Sequence, residues 1–262
     1  MVRLVFFLCL VGFIGFPAWA AQSPLDLNLG GAATVTSVVD GDTVVLDDGR
    51  RVRLVGIQTP KLPLGRVGFK AWPLGAEAKA HLQNLVLGKA VALYLPPQPM
   101  DRHGRVLAHL VRSSDQLWVQ GAMLKTGLAR VYTFHDNRVL APEMMTLEGQ
   151  ARADQAGMWG LPYYALRSVD NARHDVGTFQ IVEGRVMDTA RIRDRVYLNF
   201  GADWRTDFTV KVRKRNEKAF VKKGIDLMAL KGWRVRVRGW IKSENGAMIE
   251  LDHPERLEIL NP

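Results

Sequence analysis

The run from Ala33 to Ile57, "ATVTSVVDGDTVVLDDGRRVRLVGI", alternates apolar and polar residues and is rich in Val and Thr. Successive side chains of a β-strand point to opposite faces of the sheet, so this alternation predicts strands with one buried face. The pair Asp48-Gly49 is typical of a tight hairpin turn between two strands. The segment therefore predicts antiparallel strands as the starting point of the fold.

Helical spacing appears further along the chain. Residues 75–88, "GAEAKAHLQNLVLG", and residues 140–157, "LAPEMMTLEGQARADQAG", place apolar residues at intervals of three and four, which predicts helices. Strand-like segments lie between these helices. We therefore expect a mainly β protein with helices, of the α+β class, whose first domain covers residues 33–165.

A polar segment, residues 166–176 ("LRSVDNARHDV"), contains few large apolar groups and predicts a linker. Beyond it, residues 177–262 show about five strand-like segments with a helical piece between the third and the fourth, which is the layout of a small OB barrel. The sequence therefore predicts a second, smaller OB-like barrel.

The first 20 residues predict an export signal. Arg3 is followed by an apolar run over residues 4–16, and "AWA" ends at Ala20 with the pattern that signal peptidase cleaves. The run is too short and too interrupted to predict a stable membrane span. We expect cleavage near Ala20 and a periplasmic or secreted protein. Cys9 is the only cysteine, so the mature chain would form neither disulfides nor thiolate metal sites.

The formal net charge of the chain is +10, with Lys and Arg spread along its length. Such a charge favours an anionic partner such as nucleic acid, although a basic soluble protein with no such partner has the same composition. In the strand-like "RVRVRGW", alternation places Arg234, Arg236 and Arg238 on one face. These arginines either follow phosphates or form a solvated outer face.

Five separated segments carry a family resemblance. They are "VVDGDTVVL" (38–46), "VRLVGIQTP" (52–60), "DRHGRVLAHL" (101–110), "GLARVY" (127–132) and "ARADQAGMW" (151–159). In this order and spacing they resemble the staphylococcal-nuclease-like, or thermonuclease, family over about residues 33–159. The resemblance implies a five-stranded OB barrel capped by helices. It also implies Ca²⁺-dependent cleavage of DNA and RNA, with two arginines that hold the scissile phosphate.

By this resemblance Arg53 and Arg105 occupy the two arginine positions. A guanidinium offers paired donors that match a phosphate, and such donors stabilise the charge that builds up on its oxygens. Asp42 matches the family's metal carboxylate, and Asp40 matches the acid that orients the metal's water shell. His103 stands where the family usually has a tyrosine.

The chain departs from the family at Gln58 and Lys61, where the resemblance implies a second metal carboxylate and a general base. The carbonyl of Gln58 and the backbone oxygen of Thr59 are ligands that calcium accepts, but at lower charge, so the resemblance supports calcium only weakly. A protonated Lys61 cannot accept a proton, and loss of a positioned base costs about 10² to 10⁴ in rate. Lys61 can instead neutralise the phosphate, with His103 as the group that moves protons.

Tyr132 and Phe134 are candidates for stacking on bases, with core packing as the alternative. The sequence therefore predicts an exported protein that binds DNA or RNA, preferably single-stranded, by gripping its phosphodiesters with two arginines. We expect its calcium-dependent hydrolysis to be weak or lost. The alternative is an active phosphodiesterase that cleaves DNA or RNA through a modified site.

Overall fold

A computed structural model describes residues 22–261 of the chain. The predicted export signal, its cleavage site and Cys9 lie outside the described residues.

The first domain is built on a closed barrel in the order β1-β2-β3-β6-β5. Its strands are β1 (Asn28–Asp40), β2 (Thr43–Leu46), β3 (Arg51–Leu54), β5 (Ala90–Leu95) and β6 (Val106–Arg112), with a separate pair formed by β4 (Ile57–Gln58) and β7 (Arg130–Val131). Strand β3 runs parallel to β6, and the remaining barrel pairs are antiparallel. The predicted five-stranded barrel of the staphylococcal nuclease type is confirmed.

Strand β1 closes the barrel because it is long and irregular. Its register with β2 shifts between Val35 and Ser37 and again between Val38 and Asp40, and such bulges bend a strand. The bent strand pairs with β2 at one end and with β5 at the other. The predicted alternation is visible in the core, where Val35, Val44 and Val52 are fully buried.

Three helices cover the barrel: α1 (Gly75–Val86), α2 (Val119–Lys125) and α3 (Ala141–Ala153). The predicted helices at residues 75–88 and 140–157 are confirmed by α1 and α3. Helix α1 buries Ala78, Leu82 and Val86, which recur at four-residue intervals on one side of the helix.

The second domain is a mixed sheet with one helix. It comprises β8 (Arg167–Ser168), β9 (Phe179–Arg185), β10 (Asp188–Ile192), β11 (Arg195–Asn199), β12 (Thr209–Arg213), α4 (Lys214–Lys222), β13 (Arg234–Ser243), β14 (Ala247–Leu251) and β15 (Leu257–Asn261). The order β10-β11-β12-β14-β13-β9 contains a parallel pair, β12 with β14. Only two residues separate β9 from β10, so together they act as one bent strand. This order repeats that of the first barrel and supports the OB-like interpretation, which stays a prediction.

The predicted linker, residues 166–176, is ordered against the second domain. Strand β8 pairs with β9, and Ala172 is fully buried in the second core. Arg167 also bonds Asp175 at 2.7 Å. Backbone pairing, the buried Ala172, the partly buried Val169 and an ion pair hold the segment in place, so it is ordered without large apolar groups.

Buried polar contacts join the two domains. Arg238 of β13 is 1% exposed and bonds both carboxylate oxygens of Glu148 on α3, at 3.0 and 2.9 Å. It also bonds Glu258 of β15 at 2.7 Å. Thr133 of the first domain contacts His253 of the second at 2.7 Å. The expectation that Arg238 follows phosphates is therefore wrong, because its guanidinium is enclosed between the domains with two carboxylate partners.

Candidate functional site

Asp42 lies at the centre of the site, in the turn between β1 and β2. A side chain on the preceding Gly41 would meet Thr59 Oγ1 at 2.6 Å, so only glycine lets the two segments approach this closely. Asp42 is fully buried, and its Oδ2 accepts hydrogen bonds from the backbone N–H and the hydroxyl of Thr59 at 3.0 and 3.1 Å. These contacts fix the carboxylate against the loop that follows β4.

Two cations neutralise this carboxylate. Lys61 Nζ donates to Asp42 Oδ2 at 2.6 Å, and Arg53 Nη2 lies 3.2 Å from the same oxygen. Burial alone would raise the pKa of Asp42, but Arg53 and Lys61 hold it well below its ordinary value. Asp42 is therefore ionised at neutral pH, with a lysine ammonium as its nearest cation.

Asp40 lies on the other side of Lys61. Its Oδ1 accepts from the backbone N–H of Asp42 at 3.1 Å, and its Oδ2 is 3.8 Å from Lys61 Nζ. Burial and the neighbouring Asp42 raise the pKa of Asp40 above its ordinary value. The ammonium of Lys61 thus lies near both carboxylates of the "DGDT" turn.

Arg53 is held by the backbone as well as by Asp42. Its Nη2 donates to the carbonyl of Ile57 at 2.6 Å, and its Nη1 donates to the carbonyl of Leu54. The side chain is 14% exposed. The strand and the loop after it therefore fix the orientation of this guanidinium.

Arg105 is positioned by Asp101 in the turn before β6. One Asp101 oxygen accepts from the backbone N–H groups of His103 and Arg105, at 2.8 and 2.9 Å. The other accepts from Arg105 Nε at 2.7 Å. Burial would raise the pKa of Asp101, but the hydrogen bonds from Arg105 and His103 lower it. His103 is exposed, and its Nε2 accepts from Arg102 Nε at 3.1 Å.

Gln58 does not join this cluster. Its Oε1 accepts two hydrogen bonds from Arg130, at 3.0 and 2.7 Å. Arg130 is buried, with its guanidinium carbon 4.6 Å from the centre of the Phe179 ring, and burial lowers the pKa of Arg130 to about 10. The expected role of Gln58 as a neutral calcium ligand is therefore wrong, because its carbonyl oxygen already serves a buried cation.

The residues present do not fit a calcium ion. Calcium takes six to eight oxygen ligands, including ionised carboxylates. Here Oδ2 of Asp42 is surrounded by donors from Thr59, Lys61 and Arg53, and the oxygen of Gln58 is bonded elsewhere. Within residues 22–261, no group of three or more His, Cys, Asp or Glu side chains is arranged to hold a metal ion.

A cleft of 760 Å³ gathers the cationic residues. Its lining includes Arg53, Lys61, His103, Arg105, Tyr132 and Phe134, which are candidate site residues from the sequence. Arg102 and Trp240 also line it, although the sequence did not place them at this site. Asp40, Asp42, Gln58 and Thr59 lie behind this surface, since all four are buried. The strand alternation that marked Arg234 to Arg238 gave no sign that Trp240 would reach the first domain.

Three aromatic side chains form one wall of this cleft. The Tyr132 and Phe134 rings meet edge to face at 5.2 Å, and Tyr132 also packs on Phe179 at 4.7 Å. Trp240 of β13 donates its indole N–H to the Tyr132 hydroxyl at 2.9 Å. Phe134 is 49% exposed and Trp240 46%. Tyr132 therefore serves mainly in packing, while Phe134 and Trp240 offer ring surface to a ligand.

Arg234 and Arg236 lie outside the cleft. Both pair with Glu183 of the neighbouring strand β9. Arg236 also lies 3.6 Å from Glu258. These arginines lie on the strand face that the sequence predicted, but acidic side chains of neighbouring strands pair with them there.

Comparison with known proteins identifies the family. A profile of staphylococcal nuclease homologues matches residues 51–160. Protein ParB of Escherichia coli is 32% identical over 178 residues, which cover 63% of this chain and 89% of that protein. The chain belongs to the staphylococcal nuclease homologue family.

Other relatives cover a smaller share of the chain. The probable staphylococcal-like nuclease CAN1 of Oryza sativa subsp. japonica is 36% identical over 115 residues, which cover 44% of this chain and 30% of that protein. The thermonuclease of Staphylococcus intermedius is 29% identical over 128 residues, covering 48% and 74%. The nuclease homologue profile ends at residue 160, before the second domain begins. No helix within residues 22–261 is long and apolar enough to cross a membrane.

Proposed function

We propose that this chain binds the phosphodiester backbone of single-stranded nucleic acid in the cleft, and that its calcium-dependent hydrolysis is weak or lost. The observation that carries this proposal is the ammonium of Lys61, 2.6 Å from Asp42 Oδ2. The chain itself supplies a cation beside the family's metal carboxylate. Arg53 and Arg105 remain in the same cleft to hold a phosphate.

The electrostatics of the cleft support phosphate binding. Arg53, Lys61, Arg102 and Arg105 line it, against two acidic lining residues, Asp101 and the exposed Asp136. Asp101 is already paired with Arg105, so the cleft keeps an excess of positive charge. A positively charged cleft with an exposed aromatic side chain such as Phe134 is the combination that binds single strands, because unpaired bases can stack on the ring.

The same geometry argues against calcium chemistry. An ammonium about 6 Å from a divalent cation repels it by roughly 5 kcal/mol at an effective dielectric of 20. A protonated Lys61 also cannot take a proton from water, and a missing base costs about 10² to 10⁴ in rate. Both effects leave phosphate binding intact while they weaken hydrolysis.

Binding is tested by fluorescence anisotropy with a labelled single-stranded DNA at several salt concentrations. We expect affinity to fall with rising salt, and Arg105→Gln to weaken binding at least about tenfold, since hydrogen bonds to charged groups contribute roughly 1.5–3 kcal/mol. Arg112→Gln is the matched control, because Arg112 also pairs with a nearby aspartate but lies outside the cleft. Equal affinity of both variants and the parent would contradict this site.

Hydrolysis is tested by incubating the purified protein with single-stranded DNA and RNA in calcium, in other divalent ions and in a chelator. We expect no faster shortening in calcium than in chelator. Rapid calcium-dependent cleavage would refute the proposal. Cleavage that persists in chelator and is lost in Lys61→Met would establish the second candidate, a metal-independent phosphodiesterase in which Lys61 neutralises the phosphate and His103 moves protons.

We also propose that the chain is exported to the periplasm or the medium after cleavage near Ala20. The support is the charged start, the apolar run and the "AWA" pattern of the sequence. Mass spectrometry of protein from the native envelope should find Ala21 as the first residue. A full-length chain in the cytoplasm would refute export.

A further inference from the structure

A second groove lies beside the cleft at the junction of the two domains. It has a volume of 620 Å³ and takes its lining from both domains. His135 comes from the first domain, and the cationic and aromatic lining from the second comprises Arg213, Arg215, Trp240, Lys242 and Arg256. We call this surface the basic groove.

The basic groove keeps an excess of positive charge. Its two carboxylates are already paired. Glu250 pairs with Arg213 and also lies 3.5 Å from Lys242 Nζ, and Asp252 pairs with Arg256 at 3.3 Å. Two acids thus face four cationic side chains in this lining. These pairs hold the arginine side chains in place. Arg215, in the first turn of α4, is exposed and makes no ion pair with another described residue. Its guanidinium is therefore available to an anion.

Trp240 connects the basic groove to the cleft. Its side chain lines both, and it is 46% exposed even though it donates its indole N–H to Tyr132. A ligand that passes over Trp240 therefore contacts both surfaces without leaving the protein. Aromatic rings of this kind stack on bases of any sequence.

The spacing of the two surfaces is fixed by the domain interface. The ion pairs of Arg238 with Glu148 and Glu258, and the contact of Thr133 with His253, are buried between the domains. Because buried polar contacts have strict geometry, they resist sliding of one domain over the other. The cleft and the basic groove thus form one preformed path.

We propose that Trp240 and the basic groove form a second subsite for single-stranded nucleic acid, continuous with the cleft, so that one strand is bound across both domains. This inference rests on the proposed function, because the strand enters the basic groove from the cleft. Phosphates contact Arg215 and Lys242, and a base stacks on Trp240. An acidic peptide would meet the same cations but would have no base to stack on Trp240.

The test compares single-stranded DNA probes of about 4 and about 16 nucleotides, the range that OB domains accommodate. Affinities are measured by anisotropy in chelator, with thermal unfolding as a check on each variant. Trp240→Leu should weaken binding of the long probe at least about fivefold. Trp240→Phe, which keeps a ring but loses the hydrogen bond to Tyr132, should retain most of the affinity. Trp204→Leu is the matched control, because Trp204 is also half exposed on this domain but lies outside both surfaces.

The charge contribution is tested with a paired substitution. Arg215→Gln with Lys242→Gln should reduce the salt slope of the long probe by about 1.4, since each phosphate contact on a single strand contributes about 0.7. Arg193→Gln with Lys222→Gln removes the same charge from exposed positions outside the basic groove and should leave that slope unchanged.

The outcomes separate the two proposals. The second subsite is refuted if neither Trp240→Leu nor the double substitution of Arg215 and Lys242 changes binding of the long probe. The proposed function still stands in that case if binding of the short probe depends on Arg105. If neither probe depends on Arg105, the proposed function itself fails. Polyglutamate of equal charge serves as a competitor without bases. If it displaces the long probe as effectively as unlabelled DNA does, the assignment to nucleic acid is also overturned.

Discussion

Removing the ammonium of Lys61 tests the central feature of the site. Lys61→Met keeps the aliphatic stem and deletes the Nζ that lies 2.6 Å from Asp42 Oδ2. Asp42 keeps Arg53 at 3.2 Å and both hydrogen bonds from Thr59, so it is not left as an isolated buried charge. The loss is therefore that of one charge-assisted hydrogen bond, roughly 1.5–3 kcal/mol in the free energy of unfolding.

This free energy converts to a measurable shift in melting temperature. For a chain of this size, 1 kcal/mol corresponds to about 2–4 °C, so Lys61→Met should melt roughly 3–12 °C below the parent. Differential scanning calorimetry in chelator measures this shift. Lys70→Met, an exposed lysine on the same loop, is the control and should melt with the parent.

Calcium supplies the second half of this test. Once the ammonium is gone, Arg53 is the one cation of the pair that remains at Asp42, so a divalent cation meets less repulsion there. Added calcium at ten times its dissociation constant would restore roughly 1.4 kcal/mol to the variant. The parent should show no such shift. A variant as stable as the parent, or equal calcium shifts in both proteins, would refute the role assigned to Lys61.

Three further predictions concern the domain interface and the altered positions. Arg238→Met should lower the free energy of unfolding by about 3–5 kcal/mol in urea titrations, because it removes both hydrogen bonds that Arg238 donates to the buried Glu148. Glu148 then keeps only the more distant Arg152, at 3.7 Å, as an ion-pair partner, and adding Glu148→Gln should recover part of the loss. Although burial raises the pKa of Glu258, its neighbouring arginines lower it to about 2, so its stabilising contribution is complete above about pH 4.5 and disappears as the pH falls towards 2. Glu258→Gln should flatten the stability profile in that range. Gln58→Asp with Lys61→Glu should raise calcium-dependent cleavage at least about tenfold and more than the two single changes combined, since a base and a metal ligand act as a unit. An unchanged rate in the folded double variant would place the defect elsewhere.

The sequence predicted the first domain well because its signals are local. The Val and Thr alternation from Ala33, the turn at Asp48-Gly49 and the helical spacing of residues 75–88 each describe neighbouring residues. The structure has the corresponding elements: strands β1 to β3, and helix α1. Local signals also identified Arg53 and Arg105 as site residues, since each lies in a short segment that resembles the family.

The contacts of Gln58 and Lys61 could not be predicted in the same way. The sequence identified Lys61 at the position of the family's general base, but its bond to Asp42 depends on how the barrel brings together residues 19 positions apart. The partner of Gln58 is Arg130, 72 positions away, which no local pattern indicates. Strand alternation likewise identified the face that carries Arg238 but not the helix α3 that covers it.

The two departures from the family act in the same electrostatic direction. By the resemblance, Gln58 replaces an acid and removes one negative charge, while Lys61 replaces a second acid and changes the charge by two. Together they make the site more positive by three charges, against the two that a calcium ion brings. The attraction for a phosphate is therefore retained without the ion, because Lys61, Arg53 and Arg105 supply it from the chain. What the substitutions remove is a group that polarises and deprotonates water. Binding that is insensitive to chelator but strongly sensitive to salt follows from this balance.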